Sequence, residues 1–371
     1  GLSVSGNYAI TYQTNTTSTI RKAGITVSGL SVSSKTYDGT TVATITGTPV
    51  IAEGFYTGDT ATITGAPSFG TFAQADVGQN INVDIANTLA ISNPNYFVSG
   101  MVGGLTGSIT PKTVSLSAVK TYDSSTSLSG SSVTITTGIT GKTLTYSDAT
   151  ANSANVGSGN YITEITLLDG SDLASNYQLP TLNSSNAPVT INKKVVSLSA
   201  EKVYDGSNQL STVTVNTGVG GEFLNYSGAT SNCKDVASAS FITAITLSNG
   251  SNGELVSNYE LPSLLTANSN NSASISRKVI SFSGSPSKVY DGSDTIASNL
   301  VSISTGVGTE TLTISNLKAN DANVLGASFI SEATLANGSN GGNIGNYQLP
   351  VLSALTAPVS YTHLTLPTNR E

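Results

Sequence analysis

A short motif, Lys-x-Tyr-Asp, occurs four times at nearly equal spacing and constrains this chain more than any other feature. Its tyrosines are Tyr37, Tyr122, Tyr204 and Tyr290, which lie 85, 82 and 86 residues apart. A period of this length indicates that one structural unit is repeated along the chain. We therefore expect four small modules, rather than the two or three average domains that 371 residues would suggest.

Segments that resemble Ile-x-x-Lys recur between the motifs and set the boundaries of the modules. These segments are short and are not rich in glycine or serine, which predicts limited flexibility and an elongated rod. The predicted repeats are residues 25–112, 113–194, 195–278 and 279–358, the last of them truncated.

Both ends of the sequence depart from this pattern. Asn7-Tyr8 matches an Asn-Tyr pair found near the end of each repeat, so residues 1–24 are interpreted as the remnant of a preceding repeat. Residues 359–371 break the repeat and resemble a translated sequencing adaptor. We interpret this tail as non-native and exclude it from the predicted fold. The tail contains His363, the only histidine of the chain.

Within each repeat, apolar residues alternate with polar ones at the period of a β-strand. Val114, Leu116 and Ala118 are predicted to share one face of a first strand. Seven or eight such strands, with turns every 8–12 residues or so, are typical of a small all-β module. We predict a tandem array of antiparallel, immunoglobulin-like β-sandwiches, and a β-grasp-like module remains the alternative topology.

Composition excludes several classes of partner. The net charge is −7 and no basic patch or arginine-rich run exists, so nucleic acid is excluded as a partner. No apolar run reaches the roughly 18 residues that span a bilayer. The single cysteine, Cys233, rules out a disulfide framework and is interpreted as a small buried residue.

The Tyr-Asp-Gly element is predicted to be a structural turn. In this interpretation the tyrosine ring covers one end of the core and its hydroxyl bonds to the backbone. The aspartate closes the turn and the glycine supplies a positive φ. The element comprises Tyr37-Asp38-Gly39, Tyr122-Asp123 with Ser124 in place of glycine, Tyr204-Asp205-Gly206 and Tyr290-Asp291-Gly292.

The tyrosine of the Asn-Tyr pair begins a late strand and is predicted to tie a corner of the sandwich to the backbone. A carbohydrate platform is the alternative, because aromatic rings stack on sugars. The chain has no Trp, however, and most of its 15 tyrosines fall at recurring framework positions. The tyrosines concerned are Tyr96, Tyr177, Tyr259 and Tyr347.

The sequence offers little material for metal binding or catalysis. One aspartate per turn falls far short of the roughly six to eight oxygens that Ca²⁺ takes, so calcium is the disfavoured alternative and no cofactor is expected. Without His363 no Ser-His-Asp or Cys-His site can be built, and zinc lacks ligands. A Lys–Asn isopeptide bond would need a buried acid, and no glutamate recurs at a fixed distance from the motif lysines, which are interpreted as solvated.

The ordered set Lys-x-Tyr-Asp-Gly, Asx-Val-Gly, Asn-Tyr and Ile-x-x-Lys resembles the YDG repeat of bacterial secreted proteins of the filamentous haemagglutinin-like type. The resemblance covers residues 25–358, with a remnant at 1–24. Departures include Ser124, Ala237 after Asp-Val, and an asparagine-rich insert in repeats 3 and 4. The family implies a secreted or bacterial cell-surface adhesin in which such repeats form a stalk, with no enzyme activity.

Three functions are compatible with this interpretation. In the first, the repeats are a non-enzymatic stalk that presents a distal adhesive region to a glycan or protein on a host or neighbouring cell. In the second, each repeat binds such a ligand and repetition supplies avidity, with the loops at 249–254 and 337–343 as candidate contact regions. An accessory region of a large secreted enzyme is a third possibility.

Overall fold

A computed structural model describes Gly6, Thr11 and residues 13–86 and 88–362. Asn7 and Tyr8, on which the predicted N-terminal remnant depends, lie outside the described residues. So does His363, together with the rest of the C-terminal tail.

The fold is all-β, as predicted. Among the described residues the helical segments are four 3-10 turns, Ala174–Asn176, Val256–Asn258, Ser298–Leu300 and Ile344–Asn346. No described helix is long and apolar enough to cross a membrane. The abundance of Val, Ile, Thr and Tyr and the scarcity of strong helix formers account for this bias.

The strands are numbered in chain order. The first repeat contains β1 (Ala23–Val32), β2 (Lys35–Thr36), β3 (Val42–Glu53), β4 (Ile63–Thr64), β5 (Phe69–Phe72), β6 (Gly78–Asp84), β7 (Ala90–Ile91), β8 (Tyr96–Met101) and β9 (Thr106–Thr110). Next come β10 (Lys112–Thr113), β11 (Ser115–Thr121), β12 (Val133–Thr136), β13 (Leu144–Ala151), β14 (Ile162–Asp169), β15 (Tyr177–Gln178) and β16 (Val189–Asn192).

The third repeat contains β17 (Lys194–Val195), β18 (Ser197–Val203), β19 (Thr214–Asn216), β20 (Asn225–Ser231), β21 (Ile242–Ser248), β22 (Tyr259–Glu260) and β23 (Asn271–Ser276). The fourth contains β24 (Lys278–Val279), β25 (Ser281–Ser283), β26 (Ser287–Val289), β27 (Thr295–Ile296), β28 (Ser302–Ser304), β29 (Leu312–Ala319), β30 (Ile330–Asn337), β31 (Tyr347–Gln348) and β32 (Ser360–Thr362).

Contacts divide the chain into two compact units. Among the described residues, the first unit comprises those up to Val119 with Thr126–Ser153 and Gly159–Thr190. The second comprises Lys120–Ser125, Ala154–Ser158 and the described residues from Ile191 onward. Two turns of the predicted second repeat therefore belong to the second unit.

Sheet topology differs between the first repeat and the others. The first repeat has a seven-stranded sheet in the order β2-β9-β6-β5-β3-β1-β8. The third has a three-stranded sheet, β19-β18-β23, and a separate hairpin of β20 and β21. The predicted inward face of the first strand is confirmed, since Val114, Leu116 and Ala118 are all buried.

The prediction of antiparallel sheets is wrong where the first and last strands of a repeat meet. β18 pairs antiparallel with β19 but parallel with β23. β1 and β8, and likewise β2 and β9, are parallel. The physical reason is connectivity. The last strand of a repeat runs directly into the first strand of the next, so first and last strands point the same way and can pair only in parallel.

The Tyr-Asp-Gly element forms the predicted tight turn. Asp205 Oδ1 accepts the backbone N–H of Ser207 at 2.9 Å, and Gly206 between them has a φ of 81°. The equivalent hydrogen bonds are accepted by Asp38, Asp123 and Asp291. In the second repeat Ser124 adopts a φ of 64°, so the turn keeps its shape with a residue that disfavours this conformation.

The motif lysine binds the same turn. Lys202 Nζ lies 2.6 Å from Asp205 Oδ1 and donates to the carbonyl oxygens of Ser207 and Gln209 at 2.9 and 2.8 Å. Its side chain is 11% exposed, so the interpretation of these lysines as solvated is wrong. The aspartate is about half exposed, and for this reason the ion pair itself contributes less than about 1 kcal/mol. Matching pairs join Lys35 to Asp38, Lys120 to Asp123 and Lys288 to Asp291.

Residues 359–362, the first part of the tail that the sequence analysis set aside, join the described fold, whereas the non-native origin of residues 359–371 stays a prediction. Ser360–Thr362 form β32, which pairs parallel with β26. Val359 is buried in the core of the fourth repeat. Alternation of apolar and polar residues continues through this segment, which is sufficient for a last strand.

Replacement of Ser124 by glycine should stabilise the chain by about 1 kcal/mol, because glycine adopts a positive φ without steric cost. Gly206→Ser is the mirror control and should destabilise it by at least as much. A Cβ at position 206 would lie 2.9 Å from Val307 Cγ1. Calorimetric unfolding midpoints measure both effects. Shifts of the same sign would contradict this account of the turn.

Candidate functional site

The motif tyrosines and the Asn-Tyr tyrosines meet in pairs on a shared carboxylate. In the second unit, Tyr204 Oη donates to Glu310 Oε1 at 2.8 Å and Tyr347 Oη donates to Glu310 Oε2 at 2.6 Å. The two rings pack edge to face with centroids 5.4 Å apart. Tyr204 belongs to the third predicted repeat, whereas Glu310 and Tyr347 belong to the fourth. The arrangement is therefore a contact between consecutive repeats.

The same arrangement occurs twice more. In the first unit Tyr37 and Tyr177 both donate to Asp172 Oδ2, at 2.7 and 2.9 Å. In the second unit Tyr122 donates to Glu222 Oε1 at 2.8 Å, and Tyr259 donates to the other oxygen of that carboxylate. Ring centroids are 5.4 and 5.3 Å apart in these two pairs.

The asparagine before the second tyrosine makes a separate contact. Val236 N–H donates to Asn346 Oδ1 at 2.9 Å, and Asn346 Nδ2 donates back to Asp235 Oδ1 at 2.7 Å. Asn346 is buried, and this exchange satisfies its amide. The equivalent contacts join Asn176 to Asp76 and Val77, and Asn258 to Asn155 and Val156.

Apolar packing accompanies these polar contacts. Tyr204 and Ile275 of the third repeat share one buried cluster with Val307, Leu312 and Tyr347 of the fourth. Aromatic rings bury large apolar areas, so the cluster contributes favourable free energy beyond the hydrogen bonds. In this part of the second unit the hydrophobic core continues from one repeat into the next.

These observations correct two predictions. The hydroxyl of the motif tyrosine bonds to a carboxylate of the following repeat and not to the backbone. Tyr177, Tyr259 and Tyr347 likewise bond to carboxylates, so the predicted tyrosine corner is wrong for these three. Tyr96 donates to Asp59 but also accepts the backbone N–H of Tyr56 at 3.3 Å, so it keeps a tie to the backbone. The physical reason is that a desolvated carboxylate with several lone pairs is a stronger acceptor than a backbone carbonyl.

Each repeat thus carries two complementary faces. The tyrosine face consists of the motif tyrosine and the Asx-Val turn, and the acid face consists of the carboxylate and the Asn-Tyr pair. Tyr37, Tyr122 and Tyr204, which contact an acid face, are 0–5% exposed. Tyr290, at the same position in the last described repeat, is 53% exposed. Burial of this tyrosine therefore depends on the neighbouring acid face.

The acid face of the first repeat is not in contact with a motif tyrosine among the described residues. Tyr96 donates to Asp59, as in the other repeats. Asn95 is exposed, whereas its equivalents Asn176, Asn258 and Asn346 are buried. An open cleft of about 710 Å³ is lined by Tyr56, Asp59 and Tyr96 on this face.

In the second repeat the carboxylate that accepts the tyrosine hydroxyls comes from a different sequence position than in the other repeats. Asp59, Glu222 and Glu310 each lie 37 residues before their Asn-Tyr tyrosine. In the second repeat Thr-Gly-Ile-Thr-Gly-Lys, residues 137–142, aligns with Thr-Gly-Val-Gly-Gly-Glu, residues 217–222, so Lys142 stands in place of Glu222. Lys142 precedes Tyr177 by 35 residues because the loop that follows it is two residues shorter. The carboxylate is instead Asp172, 3.6 Å from Lys142 Nζ, so the loss of one acid is compensated by another.

The pKa values of the paired tyrosines are raised, whereas the pKa of the carboxylate Asp172 is lowered. Burial and the hydrogen bond to Asp172 raise the pKa of Tyr177 to about 12. Burial and the hydrogen bond to Glu222 raise the pKa of Tyr122 to about 12. Burial alone would raise the pKa of Asp172, but hydrogen bonds from Tyr37 and Tyr177 outweigh it and hold that pKa below its usual value.

Lys234 adds a cation beside one of the three contacts. Its Nζ donates to Tyr204 Oη at 3.1 Å and lies 3.9 Å from Glu310 Oε1. The hydrogen bond to Tyr204, opposed in part by burial, raises the pKa of Lys234. Its side chain is 43% exposed, so the electrostatic gain is small.

The carboxylates are the functional residues that the sequence analysis missed. It sought a glutamate at a fixed distance from the motif lysine and found none. The constant distance of 37 residues runs instead to the Asn-Tyr tyrosine, and aspartate replaces glutamate in the first repeat. Among the described residues no group of three or more His, Cys, Asp or Glu is arranged to hold a metal ion.

The YDG domain family matches two segments of the chain, residues 21–102 and 276–356. These segments contain the first and the last of the four motif tyrosines. No curated protein and no solved structure matches the chain.

Tyr204→Phe should destabilise the second unit by about 1.5–3 kcal/mol, the typical value of a hydrogen bond to a charged group. Tyr290→Phe removes the same hydroxyl from an exposed ring and should change stability by less than about 0.5 kcal/mol. Urea unfolding of the full chain measures the difference. Equal effects of the two substitutions would contradict the assigned contact.

Asp172→Asn should lower the unfolding midpoint of the first unit, because Tyr37 and Tyr177 would lose their charged acceptor. Adding Lys142→Glu should recover at least half of this loss, since it places an acid where the third and fourth repeats have theirs. Asp148→Asn, at an exposed carboxylate, is the control. The two substitutions are predicted to be strongly non-additive. Additive losses in the double variant would contradict the compensation.

Stability should fall at alkaline pH through these tyrosines. The pKa of Tyr122 and of Tyr177 is higher in the folded state than the unfolded value of about 10. Each protonated tyrosine therefore contributes its full stabilisation of the fold below pH 10 or so, and this stabilisation is lost as the pH rises towards about 12. For Asp172, whose pKa is lowered, stability is lost as pH falls below about 4. Thermal midpoints recorded with tyrosinate absorbance measure the alkaline limb. Ionisation of every tyrosine near pH 10 without unfolding would refute it.

Proposed function

We propose that this chain is a non-enzymatic stalk segment of a large secreted or cell-surface bacterial adhesin. The observation that carries this proposal is that the recurring tyrosines and asparagines are engaged by the neighbouring repeat. Tyr204, Glu310 and Tyr347 are buried or largely buried together. Residues arranged in this way serve the order of the array and are withdrawn from solvent, where a ligand would meet them.

The paired contacts support a stiff array. Tyr204 with Glu310, and Val236 with Asn346, are two separate attachments between the same two repeats. A hinge motion about one attachment would break the other. Together with the short boundary segments, these attachments support an elongated rod of immunoglobulin-like modules, as a stalk requires.

Composition and family resemblance support the proposed location. Charged residues make up 10% of the chain, and the polar surface is instead rich in Ser, Thr, Asn and Gly. The YDG match at residues 21–102 and 276–356 supports the resemblance to repeats of bacterial secreted proteins, from which we infer the location. The adhesive partner, a glycan or protein on a host or neighbouring cell, would then be bound by another part of the full-length protein.

Solution scattering tests the stalk directly. Four modules of roughly 30–40 Å each would give a rod with a radius of gyration near 40 Å, from about 3.4 Å per residue along a strand. A compact globule of 371 residues would give about 21 Å. We expect the larger value, and a value near that of a globule would overturn the proposal.

Binding assays separate the stalk from its rival, in which the repeats themselves bind ligand. The full chain, displayed in many copies on beads, is applied to a glycan array and to cultured cells. The stalk predicts no binding above that of beads carrying an inert protein. Binding that increases with the density of displayed chains would favour repeats that bind glycan or protein with avidity.

A further inference from the structure

The first and last strands of the third repeat lie side by side and run in the same direction. β18 pairs with β23 without interruption from Leu198 opposite Asn271 to Val203 opposite Ser276. β17 pairs in the same sense with β22, Lys194 opposite Tyr259. The strands by which the chain enters and leaves this repeat are therefore held by a continuous parallel ladder.

This geometry decides how the repeat meets a pulling force. The chain enters at the N-terminal end of β18 and leaves at the C-terminal end of β23. Tension between these points slides the two strands past each other, and the hydrogen bonds lie across that direction. The ladder bonds are then loaded together and must break together.

A hairpin in the same repeat provides the contrast. β20 and β21 are antiparallel, with Asn225 opposite Ser248 at the open end. Force applied across that open end loads one pair of bonds at a time. The ladder then opens sequentially, and each step needs only the force that breaks a single pair.

We propose that the third repeat is a load-bearing element in which tension is resisted as shear across the β18–β23 ladder. This goes beyond the stalk role, which an inert spacer would also fill. The first and fourth repeats share the parallel pairing, through β2 with β9 and through β26 with β32.

The parallel ladder of the fourth repeat is shorter than that of the third. Its parallel ladder runs only from Ser287 opposite Ser360 to Val289 opposite Thr362. Pro286 stands where the third repeat has Ala200, and proline has no N–H to donate. The fourth repeat should therefore yield at a lower force than the third.

Single-molecule force spectroscopy on the full chain tests the proposal. In a Cys233→Ser background, one variant carries handles at Lys193→Cys and Arg277→Cys, so that force loads the ladder in shear. The matched variant carries them at Asn225→Cys and Ser248→Cys, so that force opens the hairpin. All four positions are exposed, and equal thermal midpoints would verify that both variants are folded.

At the same pulling speed we expect the shear geometry to rupture at a force at least twofold higher than the hairpin geometry. Equal forces, or a lower force in shear, would overturn the proposal. A chain that scatters as a long rod but ruptures at equal forces would leave the stalk standing and remove only its load-bearing role.

Discussion

A carboxylate shared by two tyrosine hydroxyls is the interaction on which the contact between repeats depends. Burying such a group is costly unless its oxygens find donors, and here both donors come from aromatic rings that also fill the surrounding core. At Glu310 one donor is supplied by each of two repeats, Tyr204 and Tyr347. Neither repeat alone completes the site, so its energy is available only when consecutive repeats are in place.

The second repeat indicates which part of this arrangement is essential. Its carboxylate comes from Asp172 in a different loop, and Lys142 occupies the usual position of the acid. The tyrosine rings nevertheless keep the same separation and edge-to-face orientation as in the other contacts. The position of the negative charge between the rings is thus retained while the residue that supplies it changes.

The all-β fold and the inward face of Val114, Leu116 and Ala118 could be predicted, because both depend on local alternation. Parallel pairing of β18 with β23 could not, since it joins segments about 70 residues apart. The motif turn was predictable from Asp and Gly chemistry. The partner of Tyr204 was not, because Glu310 lies 106 residues away in another repeat. A recurring glutamate is also hard to recognise in the sequence, since the first repeat has aspartate and the second has Lys142 at this position.

Hydrogen exchange at single backbone amides tests the central claim most directly. Val77, Val156 and Val236 each donate to an asparagine of the following repeat. Val324 occupies the equivalent position in the last described repeat, beside an exposed asparagine. The account predicts slow exchange at the first three amides and fast exchange at Val324. Fast exchange at all four would contradict a structural contact between consecutive repeats.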